Sequence, residues 1–129
     1  MTKVTWQFQA VVPGGPSLTL NQPSLDVSGY DVVSVEVPGA TNNFDIAVQP
    51  SAGAGTVVLM IISSSQYDPG ISYTVDAVGV SHVLDGPHVL VGSGAVSLLN
   101  SGVPPQKLIF NNTLANAITV QVLAGRKIP

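Results

Sequence analysis

The sequence predicts an all-β domain, an antiparallel two-sheet β-sandwich of eight or nine strands with jelly-roll-like winding. Three observations predict it. Apolar residues recur at every second position along much of the chain, the pattern of strands with one buried face. Turn chemistry interrupts these runs at intervals of roughly 8–14 residues, the spacing of sandwiches and barrels. Helical spacing appears over no useful window, and its best candidate, residues 113–117, is too short to stand alone.

The elements follow in order. Val4, Trp6, Phe8 and Ala10 share one face of the first strand, with Thr5, Gln7 and Gln9 on the other. Pro13-Gly14-Gly15-Pro16 ends it, because proline and glycine break regular pairing. Residues 17–20 form a short second strand, stopped by Asn21-Gln22-Pro23. Val33, Val35 and Val37 alternate with polar residues, as do Phe44, Ile46 and Val48, with Pro38-Gly39 between the two runs. This pair reads as a hairpin. Residues 50–55 form a connector. Residues 56–63 are apolar on both faces and read as a central strand covered on both sides.

Asp68-Pro69-Gly70 is a turn by its chemistry, since proline presets φ and glycine accepts positive φ. Ile71, Tyr73, Val75 and Ala77 then alternate with Ser72, Thr74 and Asp76. After the turn Asp85-Gly86-Pro87, residues 88–91 and 95–99 read as two short strands split by Gly92-Ser93-Gly94. Val103-Pro104-Pro105 is a stiff connector, and Leu108 and Phe110 face one way in the next strand. Ile118, Val120, Val122 and Ala124 mark the last strand, which has no charge before Arg126 and no proline. Exposed edges carry such guards, so this strand is expected to be central or covered by another subunit. The expected core is Trp6, Phe8, Val35, Phe44, Ile46, Leu59, Ile61, Tyr73, Val75, Phe110, Ile118 and Val120. The whole chain, 1–129, suits one domain.

Charge narrows the function. Only 9% of residues are Asp, Glu, Lys or Arg, against about 25% in an ordinary domain. The surface is therefore neutral, or it is covered by other subunits. The four cations Lys3, Lys107, Arg126 and Lys127 are scattered and form no phosphate-tracking stripe, so no nucleic acid is expected. No basic segment followed by an apolar run opens the chain, so no signal peptide is expected. The longest apolar run, residues 57–62, is too short to span a bilayer, so no membrane partner is expected. There is no cysteine, which excludes disulfides and thiolate metal sites.

Each candidate site has a plain reading beside it. Ser81, His82 and Asp85 hold nucleophile, base and orienter chemistry, but triad members meet in space and rarely on one turn. His82 and His88 with Asp85 could share a metal, and both histidines also suit a turn's flanks. Asp26, Asp31, Asp45, Asp68, Asp76 and Asp85 stand singly, without the spacing of a calcium loop. Tyr30 and Tyr67 beside turns, with Asn42 and Asn43, could stack on and hydrogen-bond a sugar. Asn111-Asn112-Thr113 is a glycosylation triplet of a common kind.

No cofactor, metal or catalytic residue is assigned from these patterns. The sequence is read as a non-enzymatic structural or assembly protein, a self-associating homo-oligomer such as a capsid, decoration or other particle component. Few charges and short connectors motivate this, because obligate interfaces are more apolar than free surfaces. The alternative is a carbohydrate- or small-ligand-binding module using Tyr30, Asn42, Asn43 and Tyr67.

Overall fold

The computed structural model describes residues 2–48, 56–76, 80–99 and 105–127. The expected connectors at 50–55 and at Val103-Pro104 lie outside the described residues, as do Gln49, Ala77 and Ile128-Pro129. Among the described residues there are ten strands: β1 (Thr2–Val11), β2 (Ser17–Val27), β3 (Gly29–Val37), β4 (Thr41–Ala47), β5 (Thr56–Ser64), β6 (Ile71–Val75), β7 (His82–Val83), β8 (His88–Val91), β9 (Lys107–Asn112) and β10 (Ile118–Lys127).

Eight of them make the antiparallel sandwich that the alternation predicts. The first sheet runs β3-β10-β5-β8 and the second β4-β9-β6-β7. The antiparallel pairs are nested: β3 with β10, β4 with β9, β5 with β8, and β6 with β7. The chain is thus an antiparallel ribbon bent between β6 and β7 and rolled into two sheets. Rolling sends β3 and β4 to opposite sheets, so the expected hairpin between them does not form. Their shared alternation reports a buried face for each and says nothing of which strand pairs with which. β10 lies between β3 and β5, the central position that its unguarded sequence implied.

The core fills the space between the sheets. Ile118, Val120, Val122 and Ala124 of β10 and Met60 and Ile62 of β5 meet Ile71, Tyr73, Val75, Leu108 and Phe110 of the second sheet. A row of rings crosses every strand of that sheet. Phe44 pairs with Phe110, Phe110 with Tyr73, and Tyr73 with His82. The expected core residues Ile46, Leu59, Tyr73, Val75, Phe110, Ile118 and Val120 are buried, and Val35 and Phe44 pack against the core partly covered.

One element of the expectation is overturned. Trp6 and Phe8 are not in this core. β1 and β2 pair with each other as a separate two-stranded sheet, a hairpin arm that leaves the sandwich at Ser28. There the Ser28 N–H donates to the Arg126 carbonyl at 2.7 Å. The arm does have an apolar face, with Phe8 opposite Leu20 and Ala10 opposite Leu18. Alternation identifies such a face but cannot say what it packs on. The base of the arm covers the outer side of the first sheet. Leu59 is buried there, and a Cβ on Gly125 would sit 3.1 Å from Val27 Cγ1. This cover is why β5 is apolar on both faces.

Two smaller corrections follow. Residues 95–99 are not a strand: α1 (Ser93–Val96) and a 3-10 turn (Ser97–Leu99) tuck Val96 and Leu99 into the core. Gly92 turns the chain at φ 97°, a conformation open to glycine. Ile61, expected in the core, lies half-buried on the outer side of β5. Residues 113–117 form the non-helical loop that so short a segment implies, and they wrap the buried Asn112. Its Nδ2 donates to the Pro38 and Asn116 carbonyls at 3.2 and 3.0 Å, and its Oδ1 accepts the Leu114 N–H at 3.0 Å. Buried polar groups persist when so satisfied.

The contrast between core and arm is measurable. Phe110→Ala is expected to cost about 3–5 kcal/mol by cavity formation, whereas Phe8→Ala, half exposed, should cost under about 1 kcal/mol. Urea denaturation of the two variants checks this, and equal losses would put Phe8 back in the core.

Candidate functional site: the hairpin arm and the cleft beneath it

The residues singled out for sugar binding do not come together. Tyr30 lies on the outward side of β3, opposite Gly125. Tyr67 follows β5 beyond Ser64, which pairs with Val120 at the other end of the first sheet. Its phenolic oxygen accepts the Ser64 N–H at 3.2 Å. Asn42 and Asn43 are exposed on β4 in the second sheet. Asn43 has φ 58° at a register shift, and its N–H donates to Asn111 Oδ1 at 2.9 Å. Asparagine tolerates this left-handed backbone, so Asn43 and Asn111 together shape a bulge. The same bond engages the first residue of the glycosylation triplet.

Two further polar features stand out, one in each sheet. A shallow recess of about 220 Å³ beside Tyr67 is lined by Ser63, Ser64, Ser65, Thr119 and Gln121. Asp76, at φ 52°, accepts the Gln106 and Lys107 N–H groups through its carboxylate, joining the end of β6 to the start of β9.

Neither histidine joins a triad. His82 Nε2 donates to the Leu99 carbonyl at 3.4 Å, and among the described residues no hydrogen bond joins it to Ser81 or Asp85. Both histidines converge on Tyr73 instead, with ring centroids 5.3 Å (His82) and 5.6 Å (His88) away. The Tyr73 hydroxyl and His88 Nδ1 share a hydrogen bond of 2.6 Å, which links the second sheet to β8 of the first. Among the described residues, no three of His, Asp or Glu gather as a metal would require. Sequence reasoning missed this cluster because Tyr73 and His88 meet only once the ribbon is rolled.

A concavity of about 630 Å³ lies between the arm and the outer side of the first sheet. Trp6, Gln7, Phe8 and Leu20 line its arm side. Ile61, Val89 and Val91 line its sheet side, with Ala95 of α1 alongside. The arm is open to solvent both at the cleft's edge, where Phe8 is 48% exposed and Leu20 45%, and at its tip, where Val11 is 62% exposed, Val12 56% and Leu18 56%. The arm's ionic contact is at its base, where Lys3 lies 3.9 Å from Asp26. The sequence held a signal for the arm, because apolar alternation resumes past Pro23 at Leu25 and Val27, one position out of phase with Leu18 and Leu20. A longer second strand than residues 17–20 would have exposed a hairpin too long to fit inside the sandwich.

The chain matches no family model, no curated protein and no solved structure. The functional reading therefore rests on these residues alone.

Burial of Tyr73 raises its phenol well above the ordinary tyrosine value of 10.0. The folded state keeps this proton after the unfolded chain has released it, so the associated stability is present below about pH 10 and is lost as pH rises further. Wild type should lose about 1.4 kcal/mol per pH unit above pH 10 beyond what Tyr73→Phe loses. Denaturant midpoints across pH 9–12 check it, and parallel curves would contradict the buried phenol.

Proposed function

We propose that the protein is a non-enzymatic structural component that assembles into a homo-oligomer, as capsid, decoration and other particle proteins do, with the β1–β2 arm as the joining element. The observation that carries this reading is the exposed apolar tip. At the exposures given above, the arm's five open side chains present on the order of 500 Å² of apolar surface, comparable with the largest apolar patch of a typical monomer, which is often functional. Two copies covering each other's tips would bury about 1,000 Å² of apolar area before backbone and polar contacts are counted, which reaches the range of specific interfaces.

The arm's edge supports the same reading. β1 has no charge and no proline between Val4 and Val11, and among the described residues its one partner strand is β2. A free edge without guards pairs readily with another strand, and strand addition from a second copy supplies the hydrogen bonds. The low charge of the chain fits such contacts. The accessible surface of 7115 Å² exceeds the roughly 6,400 Å² of a compact monomer of this mass, as an arm outside the sandwich requires.

A carbohydrate- or small-ligand-binding module is the second reading, favoured by the hydroxyl-lined recess beside Tyr67. It is weaker because Tyr30 stands at the far end of the sheet.

Val11→Ser, Val12→Ser and Leu18→Ser combined should convert an oligomer to a monomer in size exclusion with light scattering. Stability should stay within about 0.5 kcal/mol, since all three side chains are exposed. Wild-type assembly should survive half-molar salt, where the Debye length is about 4–5 Å. A wild-type monomer at every concentration, or a variant that assembles unchanged, would reject the arm as the joining element.

A further inference from the structure

We infer that β1 pairs antiparallel with β1 of a second copy, about a twofold axis at Phe8, so that two arms become one four-stranded sheet. This pairing rests on the assembly reading above and specifies its strand, its symmetry and its register.

The strand is singled out by the other edges. Among the described residues, every other edge strand is guarded or short. β3 carries Asp31 and Glu36. β4 carries Asp45 and a register shift between Thr41 and Phe44. β7 and β8 have two and four residues. In the arm itself, β2 holds Pro23 and Asp26, and its residues 23 and 24 stand against the single Thr5 of β1, which makes a bulge. Charge, proline, bulges and shortness are the devices that keep an edge from pairing. β1 runs for ten residues with the extra residue on its partner, and residues 4–11 include no charge and no proline. The one long edge without a guard is the one that pairs.

Charge and face set the register. A twofold axis perpendicular to the sheet keeps both apolar faces on one side, so each residue meets one of its own face. An axis at Phe8 pairs the uncharged segment 5–11 with itself and leaves Lys3, beside Asp26, outside the junction. An axis at Gln7 or Trp6 would set Lys3 against Val11 or Gln9 of the partner subunit, and an axis nearer the tip would shorten the pairing. Phe8 already lies opposite Leu20 in its own arm. Meeting Phe8 of the partner subunit, it completes an apolar row across all four strands. Ala10, opposite Leu18, meets Trp6 of the partner subunit in a second row. Cross-strand pairs of this kind are what stabilise a sheet, and Phe8 and Leu20 stand half exposed in the single chain.

The chain has no cysteine, so single cysteines report the register. Directly opposite residues of an antiparallel pair have Cα atoms about 4.5–5.5 Å apart, within disulfide reach, whereas diagonal neighbours at about 7–8 Å lie beyond it. Phe8→Cys in the full chain should therefore oxidise to a covalent dimer. Gln7→Cys and Gln9→Cys should each stay monomeric on a non-reducing gel, and a mixture of the two should cross-link. Charge gives a second readout, because Gln7 and Gln9 are both exposed. Gln7→Lys with Gln9→Lys places like charges opposite each other and should weaken the dimer at least tenfold in light scattering. Gln7→Lys with Gln9→Glu places opposite charges there and should hold its affinity within threefold of wild type.

An assembled wild type whose Phe8→Cys variant does not cross-link, or equal weakening by the two charge pairs, would overturn the β1 pairing and leave the assembly reading standing. Cross-linking of Gln7→Cys alone would overturn the register. A wild type that stays monomeric at every concentration would reject the assembly reading and the pairing with it.

Discussion

The row of rings across the second sheet is the constraint on which the rest of the fold depends. Phe44, Phe110, Tyr73 and His82 occupy one register line through β4, β9, β6 and β7. Aromatic pairs of this kind contribute about 0.5–1.5 kcal/mol beyond their burial. A one-residue slip of any strand would turn its ring to the outer face. The row therefore fixes the register of the sheet at the point where the ribbon bends, between β6 and β7. Tyr73 then reaches across to His88, so the same residue that locks the second sheet also ties it to the first.

With the ribbon anchored at its bend, eight strands close the core and two are left over. The arm is held at its base. Leu59 and Gly125 receive Val27, and Arg126 Nη2 lies 2.7 Å from Asp31 Oδ2 across the β3–β10 pair where the arm departs. Toward the tip these contacts give way to the cleft and then to solvent. An apolar face that its own domain covers only in part is the feature that the assembly reading addresses.

Much of this was legible in the sequence, for physical reasons. Period-two alternation marks one buried face per strand, so the strand class, most core positions and the central place of β10 could be read from Val, Ile and Phe spacing. Pairing partners were not legible, because alternation is the same whichever strand lies alongside; hence the misplaced β3–β4 hairpin. Phe8 failed for a related reason: its strand is amphipathic, but the surface opposite its apolar face is the outside of a sheet. Residues 95–99 were too few for their period to separate strand from helix. The Tyr73 cluster and the cleft combine residues far apart in the chain, and no local pattern joins Trp6 to Val89.

The central claim is that the arm is an interface, and amide hydrogen exchange tests it most directly. In an isolated hairpin, alternate amides of β1 face β2 and the others face solvent. The account predicts that the outward-facing amides between Val4 and Val11 gain protection as protein concentration rises, while the already protected β10 amides stay unchanged. Free exchange of those β1 amides at every concentration would contradict it.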